Sequence, residues 1–140
     1  RDAMRQAPVR RRILWKGLKS VERAVEKAAR SYSQEASRLL DLCRHSIVFD
    51  SVEGICKCLT AMRRDPDVEL VRIKNRMDPA RENPGSAGYR NAAVNLRIIS
   101  NEAVALGVEL HVCEIQLLLR SIADIKDDEG HRKYIAFRNL

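Results

Sequence analysis

Two carboxylates in this sequence stand where a carboxylate is costly to leave alone. Asp41 precedes a short apolar run, His45 to Phe49, and Glu114 lies inside another, Val108 to Leu118. Runs of this length rich in β-branched and aromatic residues read as strands. A carboxylate inside one needs a cation or a hydrogen-bond partner. If the two strands are neighbours, the pair supplies the hard oxygen ligands that Mg²⁺ prefers, with waters and substrate phosphates completing its shell. Arg44, Lys74, Arg76 and Arg97 lie around them and suit phosphate oxygens. Each acid also has a plainer reading. Asp41 caps a strand and pairs with Arg38 or Arg44; Glu114 forms a structural ion pair with a strand-borne Arg or Lys.

The stretch Val71 to Ile99 supplies a platform for that chemistry. Arg72, Lys74 and Arg76 alternate with Val71 and Ile73; Tyr89, Asn91, Asn95 and Arg97 alternate with Ala92, Val94, Leu96 and Ile98. Period-two alternation marks strands with one face on a core and one free. The free face offers cations, amides and a tyrosine, a surface for an anionic group attached to a flat ring. Tyr89 either stacks on that ring or is an ordinary half-buried sheet residue. Upstream, Lys19, Arg23 and Lys27 recur every four residues, forming a stripe about 12 Å long if they lie on one helix. Relieved by Glu22 and Glu26, that stripe is a solvated face; turned toward the platform, it is a second set of phosphate cations. No GxxxxGK sequence exists, so nothing supports a P-loop enzyme.

The elements that must hold these residues follow from periodicity. A helix is expected from about Ile13 to Tyr32, with Leu14, Leu18, Val21, Val25 and Ala28 on its apolar side. After the His45–Phe49 strand, Asp50 or Ser51 caps a helix over 52–64 whose Ile55, Leu59 and Met62 face inward, stopped by Asp65-Pro66-Asp67. Strands follow from 68 to 77 and from Gly88, separated by a loop, then a turn over 101–107. A fourth strand spans 108–118, with Glu114 and Gln116 on one face and Cys113, Ile115 and Leu117 on the other. A final helix runs from about Leu119, broken near Gly130. This predicts an α/β or α+β domain: one mixed sheet of four to five strands with flanking helices, mainly on one face.

Composition bounds the partners. The 140 residues fit a single domain over 13–140 preceded by a basic lead-in, 1–12, and a start at Arg1 rather than Met suggests a piece of a longer chain. A net charge of +7 favours nucleotides, nucleic acid or acidic membrane surfaces. Only 4% aromatic residues argues against a broad single-strand-binding surface. No apolar run is long enough to span a membrane, and nothing at the N-terminus resembles a signal peptide. Cys43, Cys56, Cys58 and Cys113 sit in apolar runs and read as buried free thiols of a reducing, intracellular compartment, cytoplasmic by default. His45 and His111 read as core or edge histidines.

The pieces DLCRHSIVFDS (41–51), VRIKNRM (71–77), PGSAGYRNAAVNL (84–96) and CEIQL (113–117) together resemble the RelA/SpoT-like nucleotidyltransferases, the alarmone synthetases and their relatives. The resemblance implies Mg²⁺-dependent pyrophosphate transfer from ATP to the 3′-hydroxyl of a guanine nucleotide. It makes Asp41 and Glu114 the metal-binding and catalytic acids, and Tyr89 the residue stacked on the acceptor base. Lys74 and Arg76 belong to the acceptor side, Arg23 and Lys27 to the donor side, and Arg44 to the DxxR variant of the single-domain branch. Lys19, Asn95, Arg97 and Gln116 are placed with the nucleotide-binding residues. Two positions depart from the family pattern: Ala93 replaces a polar Asn or His, and Asn91 an Asp or Ser. The alternatives are an inactive module binding RNA or protein, and a toxin-like enzyme acting on an RNA 3′ end. No His-Asp hydrolase region precedes these pieces, so breakdown activity is not expected.

Overall fold

In a computed structural model describing residues 11–14, 17–78 and 90–125, the chain runs β1 (Arg11–Leu14), α1 (Val21–Ser31), a 3-10 turn (Ala36–Arg38), β2 (Arg44–Phe49) and α2 (Val52–Arg64). It continues through β3 (Val68–Asn75), β4 (Ala92–Ile98), α3 (Asn101–Ala105), β5 (Cys113–Leu119) and α4 (Arg120–Ile125). One five-stranded sheet has the order β1-β2-β5-β4-β3. Only β2 and β5 pair in parallel; the other three ladders are antiparallel. The mixed α+β sheet predicted from periodicity is borne out. The basic lead-in, the loop over 79–89 with Tyr89, and the last helix beyond Ile125 lie outside the described residues, apart from Arg11 and Arg12.

The sheet's apolar face follows from strict alternation. Phe49, Ala92, Val94, Leu96 and Leu117 are buried with Ile55 of α2, and Leu59, Met62, Ile47 and Ile115 pack around them. Burying each such Phe, Leu, Ile or Val side chain contributes about 1.5–3 kcal/mol. Helix α2 keeps its predicted bounds. Ser51 Oγ accepts from the Gly54 amide at 3.2 Å, while Asp50 instead pairs with Arg120 Nε at 2.6 Å.

Four expectations are corrected. The helix does not start at Ile13: that residue pairs with Ile47 in an antiparallel ladder, so 11–14 form an edge strand where a lead-in and helix start were expected, and α1 begins only at Val21, after the Ser20 cap. Its expected apolar side is kept only in part: Ala28 is buried, but Leu18, Val21 and Val25 are exposed. The fourth strand begins at Cys113 rather than Val108, because residues 101–105 form a short helix and Gly107, at φ +67°, turns the chain. The thiols are free but not buried as expected: Cys56 is exposed and the other three are half-buried.

Leu117 sits in the central strand with no exposed surface. Leu117→Ala should lower the unfolding free energy by about 2–5 kcal/mol. Ser51→Ala should lower it by about 1 kcal/mol. Urea midpoints at unchanged m value check both.

Candidate functional site

Cross-strand register assembles the sheet's second face in rows. The first row reads Arg44 (β2), Glu114 (β5), Asn95 (β4) and Arg72 (β3). The second reads Ser46, Gln116, Ala93 and Lys74. Beyond it, Arg76 donates its amide to the Asn91 carbonyl at 2.9 Å and a guanidinium N–H to Asn91 Oδ1 at 3.4 Å. Paired residues share a face, and neighbouring strands lie about 4.8 Å apart. An acid, three amides and four cations therefore meet within a few strand widths.

A bulge makes this possible on β3. Leu70 pairs with Leu96 and Arg72 with Asn95, so Val71 is extra. Without it, the strand that buries Val68 and Leu70 would carry Arg72 and Lys74 to the same core face, since the side-chain period is two.

Asp41 lies just ahead of β2 and is 6% exposed. Its Oδ2 accepts from Lys19 Nζ at 2.6 Å, with Lys27 Nζ at 2.9 Å and an Arg44 guanidinium nitrogen at 3.9 Å. Lys27 Nζ also stands 5.6 Å from the centre of the Tyr32 ring. Burial acts to raise the Asp41 pKa, but hydrogen bonds and charge from Lys19 and Lys27 outweigh it and hold the carboxyl below its usual value of 3.8. A cavity of about 230 Å³ opens beside the cluster, lined by Lys19, Ser20, Arg23, Asp41 and Arg44 among others.

The two clusters share one electrostatic field. Burial, then the charges of Arg72 and Arg76, depress the Lys74 pKa; Glu114 opposes the shift and Lys27 adds to it. Lys27 thus pairs with Asp41 while its charge is still felt at Lys74. Glu114 Oε1 accepts from Gln116 Nε2 at 2.8 Å. Three buried polar atoms nearby have no partner: Asp41 Oδ1, Ser46 Oγ and Asn91 Nδ2. A crowd of cations beside unpaired buried polar atoms is costly to maintain and marks this face as a candidate binding site.

Of the residues singled out in the sequence, Asp41, Lys19, Lys27 and Arg44 form one cluster, and Glu114, Gln116, Asn95, Lys74 and Arg76 line one sheet face. Arg23 borders the cavity but its guanidinium reaches Glu26 at 3.6 Å. Arg97 is tied to Glu69 at 2.5 Å. Tyr89 lies outside the described residues. The face is also less open than expected, for Ser46, Asn91, Ala93, Asn95 and Gln116 are all buried. Sequence reading missed Ser46 and Tyr32. Ser46 left a signal, as the one small polar residue in an apolar strand, two places from Arg44; Tyr32 left none.

No cluster of three or more His, Cys, Asp or Glu side chains occurs among the described residues. The donors for a hard divalent ion are nonetheless right in kind: a bare buried oxygen on Asp41 and the carboxylate of Glu114.

No protein-family model matches the sequence, and no curated protein does. Solved structures do. A GTP pyrophosphokinase family protein from Streptococcus pneumoniae superposes with TM-score 0.73 at 16% identity, over 96% of this chain and 64% of that one. Small alarmone synthetase 1 from Bacillus subtilis, bound to its product pppGpp, gives TM-score 0.66 at 20% identity, over 91% and 62%. The fold is that of the RelA/SpoT-like nucleotidyltransferases. A third match is the complex between the Type VI effector Tas1 and its immunity protein, with TM-score 0.55 at 18% identity over 92% and 61%. The chain spans a little under two thirds of the length of these three structures.

The depressed Asp41 pKa carries a pH dependence. Its stabilising contribution is complete above the usual value of 3.8 and is lost as pH falls through the lower folded-state value. Asp41→Asn should therefore shrink the loss of stability between about pH 6 and about pH 3, read from urea midpoints.

Proposed function

We propose that this domain transfers pyrophosphate from ATP to the 3′-hydroxyl of a guanine nucleotide. One observation carries the reading: in a RelA/SpoT-like fold, Glu114 stands in register between Arg44 and Asn95 on the face that Lys74 and Lys27 flank. That superposes an acid, a phosphate-binding margin and a second cationic cluster on one surface. The product-bound synthetase of the same fold supports a nucleotide occupant for it.

The donor triphosphate takes the cavity beside Lys19, Arg23 and Arg44, with Lys27 reaching the phosphates from α1. The acceptor lies over β3 and β4, its phosphates on Lys74 and Arg76 and its ribose near Asn95 and Gln116. Tyr89, two residues before Asn91, is the proposed stacking partner for the base. Mg²⁺, held by Asp41 and Glu114, would neutralise charge on the donor phosphates. Glu114 takes the proton from the 3′-hydroxyl while the oxygen forms its bond to the β-phosphorus. The bond from that phosphorus to the α-phosphate oxygen breaks, and AMP leaves with the electron pair. Gln116 holds Glu114 Oε1 and so fixes which oxygen faces the hydroxyl. Position and charge supply most of such a rate enhancement.

A second acceptor, an RNA 3′ end, is the competing reading. Ala93 favours it: in the row between Gln116 and Lys74 it offers only a methyl group, with no exposed surface.

The chain incubated with Mg²⁺, β-labelled ATP and GDP or GTP should yield a more highly phosphorylated guanine nucleotide and AMP, resolved by anion exchange. Glu114→Gln should slow this by about 10²–10⁴-fold, the usual contribution of a general base. Label appearing on tRNA instead selects the competing acceptor, and label on neither overturns the proposal.

A further inference from the structure

We infer that Lys19 and Lys27 gate Asp41, so that a divalent ion gains this carboxylate only after a polyphosphate has drawn the two ammonium groups away. The inference rests on the nucleotide reading above and adds an order of binding to it.

Both lysines converge on a single oxygen, Oδ2, at 2.6 and 2.9 Å, and Arg44 lies 3.9 Å from the same atom. The other oxygen, Oδ1, is buried and bare although three cationic side chains surround its carboxyl. The acid is thus neutralised on one side and vacant on the other. An ion entering at Oδ1 would sit within a few ångströms of two ammonium charges, and in a partly buried site that repulsion outweighs one carboxylate. The arrangement rejects a bare cation.

A triphosphate changes the balance. The cavity beside the cluster is lined by Lys19, Arg23 and Arg44 together with Asp41 itself. Lysine is a point charge on a flexible stem, so its ammonium can leave a carboxylate for a phosphate without backbone movement. Lys27 has a resting place in either state, because Tyr32 offers its ring face 5.6 Å from Nζ. Its release also moves positive charge relative to Lys74, whose pKa it helps to depress.

Mn²⁺ titrated into the full chain, followed by electron paramagnetic resonance, tests the gate without any turnover. Wild-type chain alone should leave Mn²⁺ free up to roughly a millimolar. Lys27→Gln and the double variant Lys19→Gln/Lys27→Gln should gain a site about tenfold tighter or more. Adding Asp41→Asn to either should remove it. Wild type binding Mn²⁺ alone as tightly as the lysine variants overturns the gate, as does a natively folded double variant that gains no site. If circular dichroism shows the lysine variants unfolded, inorganic triphosphate decides. Retention of Mn²⁺ by wild type above that by Asp41→Asn supports the gate, and equal retention overturns it. Loss of nucleotide transfer with the Mn²⁺ pattern intact discards the proposed reaction and keeps the gate. Transfer together with metal binding in the absence of phosphate does the reverse.

Discussion

The unshifted parallel pairing of β2 with β5 is the constraint from which the site follows. It puts Glu114 opposite Arg44 and Gln116 opposite Ser46, with Asp41 three residues upstream at the same sheet edge. Nothing local creates this alignment, since β2 ends at Phe49 and β5 begins only at Cys113. It is enforced from behind, where Ile47, Phe49, Ile115 and Leu117 share the core with α2. Slipping either strand by one residue would expose those side chains and bury Glu114 among them. The apolar face thus fixes the geometry of the polar one.

The polar face breaks the rules that the apolar face obeys. Ser46 and Asn91 have no exposed surface, yet each leaves a polar atom unpaired. Each such atom costs about 1–3 kcal/mol. Lys74 is held where neighbouring cations and burial both oppose its charge. Misfits of this kind concentrated on one surface, beside an otherwise consistent core, are the signature of a surface shaped for a ligand.

Legibility in the sequence divided along the same line. Helix α2 and strand β4 were readable because one rule, apolar periodicity, decides each of them. The alternation of Glu114 and Gln116 against Ile115 and Leu117 was equally plain. Residues 11–14 were not, because four residues carry too little pattern to tell an edge strand from a helix start; only the partner strand decides. The β3 bulge was invisible for a different reason. Val71 is as apolar as its neighbours, and its displacement is set by the register with β4. The side of α1 that faces inward was misread because burial was assumed to follow hydrophobicity.

Helix α1 shows why that assumption fails here. Val21 and Val25 lie at the surface, while Lys27 turns toward a buried acid. The helix is oriented by charge, and Asp41 is what it is oriented to. Hydrophobic burial of two valines competes with this choice at about 1.5–3 kcal/mol each. Removing both ammonium groups from Asp41 would strand a carboxylate at 6% exposure, which costs more. A buried ion pair is seldom the most stable solution for its volume, and an apolar cluster would hold the same helix as firmly. What the ion pair provides instead is exchangeability. An apolar contact has no alternative partner, whereas an ammonium can trade a carboxylate for a phosphate wherever another cation takes its place on the acid. The same contact that anchors α1 in the free protein is therefore the one most easily given up to an anionic ligand.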